Sequence, residues 1–392
     1  MSSEVVELER AVDGEPDYWR EVAVADVVAM LPGFAFKSEN FVTDPDEGLP
    51  LIRIRDLSQT ATVTRYVGGY DEAFAVQDGD ILVGMDGEFA AVRWQGGKAL
   101  LNQRVLKLST ARPEAMDEGY LFYRVQPALL ELEQTISGTT VKHLSTKDLK
   151  RLTWQLPPLD EQRRIAEVLR SVDEAIAANR ATIDAARRTL EALATEIATE
   201  ASVTRTVADF GRVVTGGTPS PKNAELWDGK LPFVTPGDLD DECISVRSAA
   251  RSLNTSAPHG AQVLPANSVL VTCIGSTVGK VAISRRECAT NQQINAISCD
   301  PELAGYVYLA CLAAYEDILA NAGKQAVPII NKSTFSGLAL PCFPRERMCE
   351  ISEAVDALDD ERERSVAASE RLTSMKASLM SDLLSGRVRA PA

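Results

Sequence analysis

Two long stretches of the chain carry apolar residues at alternating spacings of four and three, the pattern of a helix that packs along one face. The first stretch, from Ile165 to Ile197, keeps this spacing without a break. The second, from Met348 to Leu383, keeps it at both ends but has polar residues in the middle. Residues at this spacing form a continuous seam along one face of the helix, which is typical of a coiled coil. The predicted seam positions are Ile165, Leu169, Val172, Ile176, Asn179, Ile183, Leu190, Leu193, Ile197, Ile351, Val355, Leu358, Leu372, Leu379 and Leu383.

The two predicted helices can pair with each other. In an antiparallel arrangement Ile165 meets the region of Leu383, and the polar Asn179 falls near Ser369. An asparagine at a seam position costs stability and fixes the register. We predict this arrangement, in which the helices hold two globular parts apart like a ruler. The alternative is that both helices belong to a partner-binding bundle or to a homodimer.

Outside these helices the pattern is mixed. Short runs of Val, Ile and Leu bounded by Gly, Pro, Asn and Asp predict strands, for example at 81–84 and 269–273. Helical spacing appears at 120–132 and again at 306–320. The predicted fold class is therefore α+β, with two tandem globular domains that are each followed by a long helix, the two helices forming an antiparallel coiled coil.

The chain repeats itself with a period of roughly 185 residues, which indicates duplicated domains rather than stacked short units. The paired segments are VADVV at Val24 with VADFG at Val207, LPLIRIRDL at Leu49 with LPFVTPGDL at Leu231, DILVGMDGEF at Asp80 with SVLVTCIGSTVGK at Ser268, and LNQRVLKL at Leu101 with TNQQINAI at Thr290. Each half then closes on a proline junction, LPPLDEQRRI at Leu156 and LPCFPRERMCEI at Leu340, which stops a strand before a helix.

These patterns predict five segments. They are an acidic flexible arm at 1–17, a first globular domain at 18–157, a long helix at 158–201, a second globular domain at 202–343 and a second long helix at 344–388. A chain of 392 residues is long enough for two domains that each bury a core.

Charge and composition narrow the class of protein. The net charge of −15 and the pI near 4.8 argue against broad attraction to a polyanion. Seven cysteines without a C-x-x-C pair, and only two histidines, His143 and His259, make a disulfide framework, a zinc site or a histidine dyad improbable. No stretch resembles a signal peptide or a membrane span, so a cytoplasmic protein without membrane contact is expected.

The chain carries no motif that predicts catalysis. The segment GSTVGKV at Gly275 has three residues between its glycines and a valine after its lysine, whereas a phosphate-binding loop needs four residues and then Ser or Thr. We interpret it as a turn between strands. A G-x-G-x-x-G fingerprint and a methyltransferase N-P-P-Y signature are both missing from the sequence. Binding is therefore the predicted class of function.

Polar and aromatic residues at corresponding places in the two halves are the candidates for binding. Asn, Gln and Arg can make paired hydrogen bonds to base edges, and Lys can contact phosphates. Asn and Gln that recur at one place in both halves are instead typical of the scaffold. The candidates are Phe36, Lys37, Ser38, Arg53, Arg55, Asn102, Gln103, Arg104, Thr218, Ser220, Lys222, Lys280, Asn291, Gln292 and Lys324.

Taken together and in order, these segments resemble a specificity subunit of a type I restriction-modification system. The resemblance extends from about Tyr18 to Arg389 and includes the closing segment SDLLSGRVR. The second junction departs from the Pro-Leu-x-Glu-Gln pattern, which puts partner contacts there in doubt.

The resemblance implies that each globular domain is a target-recognition domain for one half of a split, asymmetric site in double-stranded DNA. It implies no activity and no cofactor in this chain. Two methyltransferase subunits would bring S-adenosylmethionine, and restriction subunits, where present, would use ATP and Mg²⁺. Two alternatives stay open: a recognition subunit of another phage-defence or type II methylation complex, and a bivalent coiled-coil adaptor that binds protein.

Overall fold

The computed structural model of the chain describes residues 19–135, 142–239, 243–254, 260–323 and 327–390. These residues form two compact units. The first combines the chain up to Ala175 with the chain from Arg371 onward, and the second is Ile176–Glu370. The predicted acidic arm, together with Tyr18, His259 and Lys324, lies outside the described residues.

The first globular domain is a mixture of short strands and three helices. Its strands are β1 (Arg20–Ala23), β2 (Val28–Pro32), β3 (Phe41–Val42), β4 (Leu49–Ile52), β5 (Arg65–Tyr66), β6 (Ala75–Val76), β7 (Ile81–Gly84), β8 (Ala91–Arg93), β9 (Ala99–Leu101), β10 (Val105–Thr110) and β11 (Thr153–Leu156). Its helices are α1 (Val24–Val27), α2 (Glu118–Thr135) and α3 (Thr146–Lys150), and the long helix α4 (Leu159–Glu200) follows.

Two sheets organise this domain. The main sheet has the order β2-β10-β7-β8 with antiparallel neighbours. The smaller sheet has the order β3-β5-β4-β9-β6. Strands β1 and β11 pair with each other, so the domain begins and ends at one place, beside the start of α4.

The core follows from the alternation of side chains along the buried strand β7. Ile81 and Val83 are buried in the same apolar cluster as Tyr120 of α2. Leu82, on the opposite face, is buried in a second cluster with Ile52 and Trp94. The strand therefore has no polar face, because a helix covers one side of the sheet and the smaller sheet covers the other.

The second globular domain repeats this plan. Its strands are β12 (Val203–Thr206), β13 (Gly211–Thr215), β14 (Trp227–Val234), β15 (Ser245–Val246), β16 (Arg251–Leu253), β17 (Ser268–Thr272), β18 (Val281–Ser284), β19 (Ala289–Thr290), β20 (Ile294–Cys299) and β21 (Ala339–Cys342). Its helices are α5 (Val207–Phe210), α6 (Ala304–Ala313), α7 (Tyr315–Ala322) and α8 (Lys332–Ser336), and the long helix α9 (Arg345–Leu384) follows. The main sheet, β13-β20-β17-β18-β15, matches that of the first domain with one strand added.

The two long helices run antiparallel, as ion pairs within each unit show. In the first unit Lys376 Nζ, near the end of α9, lies 2.6 Å from Asp173 Oδ1, near the start of α4. In the second unit Arg347 Nη2, at the start of α9, lies 2.5 Å from Glu200 Oε2, at the end of α4. The predicted α+β fold class with two antiparallel long helices is therefore confirmed.

The predicted seam is buried at its ends by the globular domains as well as by the opposite helix. Ile165 and Leu169 belong to the core of the first domain, and Leu190 and Ile197 belong to that of the second. In the polar middle of α9, Arg362 is only 7% exposed. The partly buried seam residues are Asn179, Ile183, Leu193, Ile351, Leu358, Leu372 and Leu379.

At the first proline junction, the Gln162 side chain joins α4 to the first domain and is 1% exposed. Its Oε1 accepts the Asp117 backbone N–H at 2.9 Å, and its Nε2 donates to the carbonyls of Ala115 and Pro157 at 2.9 and 3.0 Å. A buried amide with three such bonds fixes the direction in which the helix leaves the domain.

The neighbouring Glu161 marks a difference in charge between the two junctions. Glu161 is 2% exposed and accepts two hydrogen bonds from Arg389, at 2.5 and 2.7 Å. Arg347 holds the corresponding place in the second junction, and it pairs with Glu200. Each junction therefore has an ion pair at the start of its long helix, with the acid at this position in the first junction and the base in the second; the acid of the first pair is buried, whereas both side chains of the second are exposed.

Candidate nucleic-acid interface

Three loops meet at one end of the main sheet in the first domain. The Phe34 N–H donates to the Leu101 carbonyl at 3.0 Å, and the Gln103 N–H donates back to the Phe34 carbonyl at 2.8 Å. The Met85 N–H donates to the Arg104 carbonyl at 2.9 Å. These bonds bring segment 33–38, which carries the candidates Phe36, Lys37 and Ser38, together with the LNQRV segment beside the loop that follows β7.

The second domain has the same hydrogen-bonded frame. The Gly217 N–H donates to the Thr290 carbonyl at 2.9 Å, and the Cys273 N–H donates to the Gln293 carbonyl at 2.7 Å. Position 104 in the first domain therefore corresponds to position 293 in the second, and the loops after β7 and β17 correspond as well. The repeat in the sequence is a repeat of this frame.

Close backbone contact explains the recurring glycine and asparagine of the frame. A Cβ atom on Gly33 would lie 2.0 Å from the carbonyl oxygen of Asn102, and one on Gly216 would lie 2.2 Å from that of Asn291. Both asparagines are buried, with exposures of 6% and 8%. We therefore leave Asn102 and Asn291 out of the interface, because their side chains are enclosed by the scaffold.

Two further candidates also contact their own domain. Phe36 is 6% exposed and packs into the apolar cluster of the smaller sheet. The Arg53 N–H and Nε both contact Asp56 Oδ2, at 2.9 and 3.4 Å, which closes a short helical turn. Thr235 and Asp238 form the corresponding capped turn in the second domain. The recurring Asp-Leu of the repeat is therefore a turn signal.

The other candidates within the described residues lie in loops and short helical turns. Lys280 is partly buried, and its ammonium group donates to the Leu239 carbonyl at 3.1 Å. The position of Lys324 lies outside the described residues. The exposed candidates are Lys37, Ser38, Arg55, Gln103, Arg104, Thr218, Ser220, Lys222 and Gln292.

An ionic cluster around Arg104 was not predicted from the sequence. Arg104 Nη1 lies 3.3 Å from both carboxylate oxygens of Asp86, and His143 Nδ1 lies 2.6 Å from Asp86 Oδ1. The three residues come from three different loops. Asp86 sits in a turn between glycines and His143 stands alone, so neither carries a local signal of this contact.

A stacked arginine in the second domain was also missed. The Arg251 guanidinium lies 3.5 Å from the centre of the Trp227 ring, and Arg251 is exposed whereas Trp227 is buried. Such stacking fixes the plane of the guanidinium without neutralising its charge. Arg251 is therefore a further exposed cation, on strand β16.

Acidic neighbours weaken the positive field of the first domain's face. Lys37 lies 3.8 Å from Glu39, and Lys98 lies 3.0 Å from Glu72. The hydrogen bond from Lys98 lowers the pKa of Glu72, so this carboxylate stays charged well into the acidic range. Asp86 beside Arg104 is a third such pair of opposite charges in this domain.

The described residues offer no group of three or more His, Cys, Asp or Glu side chains that could hold a metal ion. No disulfide bond joins any of the seven cysteines, all of which lie in described residues. None of the single helices in these residues has the length and apolar composition of a membrane span, although one bent pair, Pro301–Ala313 with Tyr315–Ala322, meets both criteria together.

The described residues thus form a duplicated α+β frame, with a polar face built from loops on each copy and a long helix after each, which defines a tandem two-domain protein. The family model of the type I restriction modification DNA specificity domain matches residues 16–187 and 200–368, and the chain belongs to this family. The family expected from the sequence is thereby confirmed, and the chain carries two such domains.

Individual relatives agree with this family. The chain is 42% identical over 157 residues to the type I restriction enzyme EcoBI specificity subunit of Escherichia coli, across 39% of this chain and 32% of that protein. It is 27% identical over 190 residues to the HindI specificity subunit of Haemophilus influenzae, across 47% and 41%. The matched segments thus span less than half of each relative.

The fold is similar to a solved structure along nearly its whole length. The crystal structure of the type I restriction-modification system S subunit from M. genitalium superposes with a TM-score of 0.67, covering 95% of this chain and 97% of that one. The two sequences are 14% identical, so the likeness concerns the fold alone.

Proposed function

We propose that this chain is the DNA sequence-specificity subunit of a type I restriction-modification complex and reads a bipartite, asymmetric site with its two recognition domains. The observation that carries the proposal is one backbone frame built twice with different side chains on it. Arg104 stands in the first domain where Gln293 stands in the second. Two domains of one fold and different surface chemistry suit two different half-sites.

The recognition domains are those at 18–157 and 202–343, and the helical segments at 158–201 and 344–388 dock two methyltransferase subunits. The chain itself is a non-catalytic, cytoplasmic subunit. S-adenosylmethionine, and ATP with Mg²⁺ where restriction subunits join, belong to the partners. The partner subunits also supply much of the positive field for DNA, because a chain of net charge −15 cannot.

The test is single-molecule methylation sequencing of the host genome with the gene present, deleted and restored. The expected result is that one split motif with methylated adenine disappears on deletion and returns on restoration. Exchange of residues 18–157 for the matching domain of a relative should change one half of the motif only. An exchange that changes both halves would contradict independent reading.

An unchanged methylome would overturn the proposal. Measurement of binding by the purified chain then separates the alternatives. Association with a protein that is insensitive to salt, without DNA binding, would point to the bivalent adaptor. Loss of an unsplit motif on deletion would instead point to a recognition subunit of another methylation complex.

A further inference from the structure

One pair of facing positions in the duplicated frame is polar in the first domain and aliphatic in the second. In the first domain Asp86 and His143 form a bridge between two loops, and in the second Ile274 and Ile329 form the equivalent bridge. The first bridge is polar, and its Asp86 carboxylate also forms an ion pair with Arg104. The second is aliphatic, and Ile329 is 46% exposed on it. The frame therefore presents charge in one domain and apolar surface in the other.

Arg104 has a backbone conformation that arginine rarely adopts. Its φ angle is +74°, in the left-handed region that favours glycine or asparagine. A non-glycine residue held in a sparsely populated conformation points to a use for its side chain. The turn itself requires only the backbone carbonyl of this residue, which accepts the Met85 N–H.

The Arg104 side chain is held through one of its nitrogens. Its contacts with Asp86 and His143 in the described residues all involve Nη1, and the side chain is 56% exposed. Nε and Nη2 remain available for a ligand. A planar guanidinium fixed in this way matches the O6 and N7 acceptors of guanine.

The corresponding surface of the second domain offers an amide and a methyl-rich side chain. Gln292 is exposed, and its Oε1 accepts the Thr218 hydroxyl at 2.6 Å, but the equivalent Gln103 of the first domain is exposed as well, so this amide does not distinguish the two domains. The aliphatic Ile329 is exposed in the same group of loops. An apolar side chain suits the thymine methyl group.

We propose that Arg104, positioned by Asp86, reads a guanine in the half-site of the first domain, whereas Ile329 reads the thymine methyl group of an A·T pair in the half-site of the second. This assignment rests on the proposed DNA-reading function and adds the bases on which the two half-sites differ. Asp86 is a positioning residue, since its contact is with Arg104.

The test uses the full chain assembled with the methyltransferase subunits of its host, with methylation measured on DNA in which each site position is randomised in turn. R104Q should lose roughly 10- to 100-fold of the preference for G·C at one position of one half-site. I329S should relax an A·T preference in the other half-site only. R104K keeps the charge without the planar fork, so it should lose base preference while the assembled complex still binds DNA.

Matched controls lie at the far ends of the same domains. Arg112 is exposed just beyond the other end of β10, and Val203 is 54% exposed on β12. R112Q and V203S should leave both half-sites unchanged. Suppose that the wild-type complex methylates a split site. If R104Q and R104K then keep every base preference, or lose methylation evenly at all bases, the guanine assignment is overturned and the proposed function stands. If the wild-type complex methylates no split site, both are overturned.

Discussion

Asp359 of α9 and Arg285 of the second domain form a buried ion pair, with Nη2 2.8 Å from Oδ2 and the carboxylate side chain 0% exposed. The Arg285 Nε donates to the same oxygen at 2.9 Å, and the Ser245 hydroxyl donates to Oδ1 at 2.9 Å. A strand and a turn of the recognition domain are thus bound to one carboxylate on the long helix. This contact fixes how the domain sits on its own helix.

Replacing Asp359 by asparagine should lower the free energy of unfolding by about 2–3 kcal/mol, because Asp356, 2.8 Å from Arg285, would be left as the acidic partner of this largely buried guanidinium. Urea denaturation of the full chain measures the change. Asp360 is the matched control, since its side chain is 71% exposed next to Asp359. D360N should change stability by less than about 1 kcal/mol. Similar small losses in both variants would contradict a stabilising role for the ion pair between Asp359 and Arg285.

Replacing Arg389 by glutamine should destabilise the first unit by about 3 kcal/mol, because the buried Glu161 would lose the cation that compensates it. Arg387, two residues earlier, pairs with Asp382 at the surface and serves as the control. R387Q should have an effect below about 1 kcal/mol. Adding E161Q to R389Q should restore part of the loss. Equal melting of R389Q and R387Q would contradict a role for the closing segment at the first junction.

The capping carboxylate of Asp148 should make stability depend on pH. The hydrogen bond from the Ser145 hydroxyl and the one from its backbone N–H lower the pKa of Asp148 below the ordinary 3.8. A lowered pKa in the folded state stabilises the fold above the ordinary value, and this stability disappears as the pH falls through the folded pKa. The stability difference between wild type and D148N should therefore be present at pH 7 and shrink below pH 3.8. A difference that is constant with pH would exclude a contribution from this charge.

The buried cysteines should resist alkylation. Burial raises the pKa of Cys273 and Cys288 to about 11, and raises that of the fully enclosed Cys311 further. At pH 8 only about one thiol in a thousand would be thiolate at Cys273. Iodoacetamide followed by mass spectrometry should label the partly exposed Cys243, Cys342 and Cys349 first. The buried thiols should react only after unfolding in guanidinium, and early labelling of Cys311 would contradict the packing of α6.

Local patterns predicted the elements that depend on neighbours in sequence. The alternating spacing from Ile165 to Ile197 and the prolines before it predicted a long helix at 158–201, and the helix runs from Leu159 to Glu200. The repeated Gly, Asn and Asp positions marked the two frames. The interpretation of recurring residues as scaffold fits Asn102 and Asn291, which are buried, but not Gln103 and Gln292, which recur and are exposed.

These patterns could not predict side-chain contacts between segments that are far apart in the sequence. Glu161 and Arg389 are 228 residues apart, and Asp86 and His143 are 57 apart. Periodicity in a sequence reports which face of an element is buried. It does not report which loop of another element meets that face. Phe36, one of the candidates for binding, packs inward for this reason.

The sequence by itself determined that the protein has two copies of one α+β domain, each followed by a long helix, because repeat period, strand alternation and heptad spacing are local properties of the chain. Only the tertiary structure decided which side chains face a ligand and which ones complete the scaffold. It alone placed Asp86, Arg104 and His143 in one cluster, and it replaced that cluster by Ile274, Gln293 and Ile329 in the second domain. The physical reason is that a recognition surface forms where separate loops converge, and the packing of the sheets beneath sets that convergence.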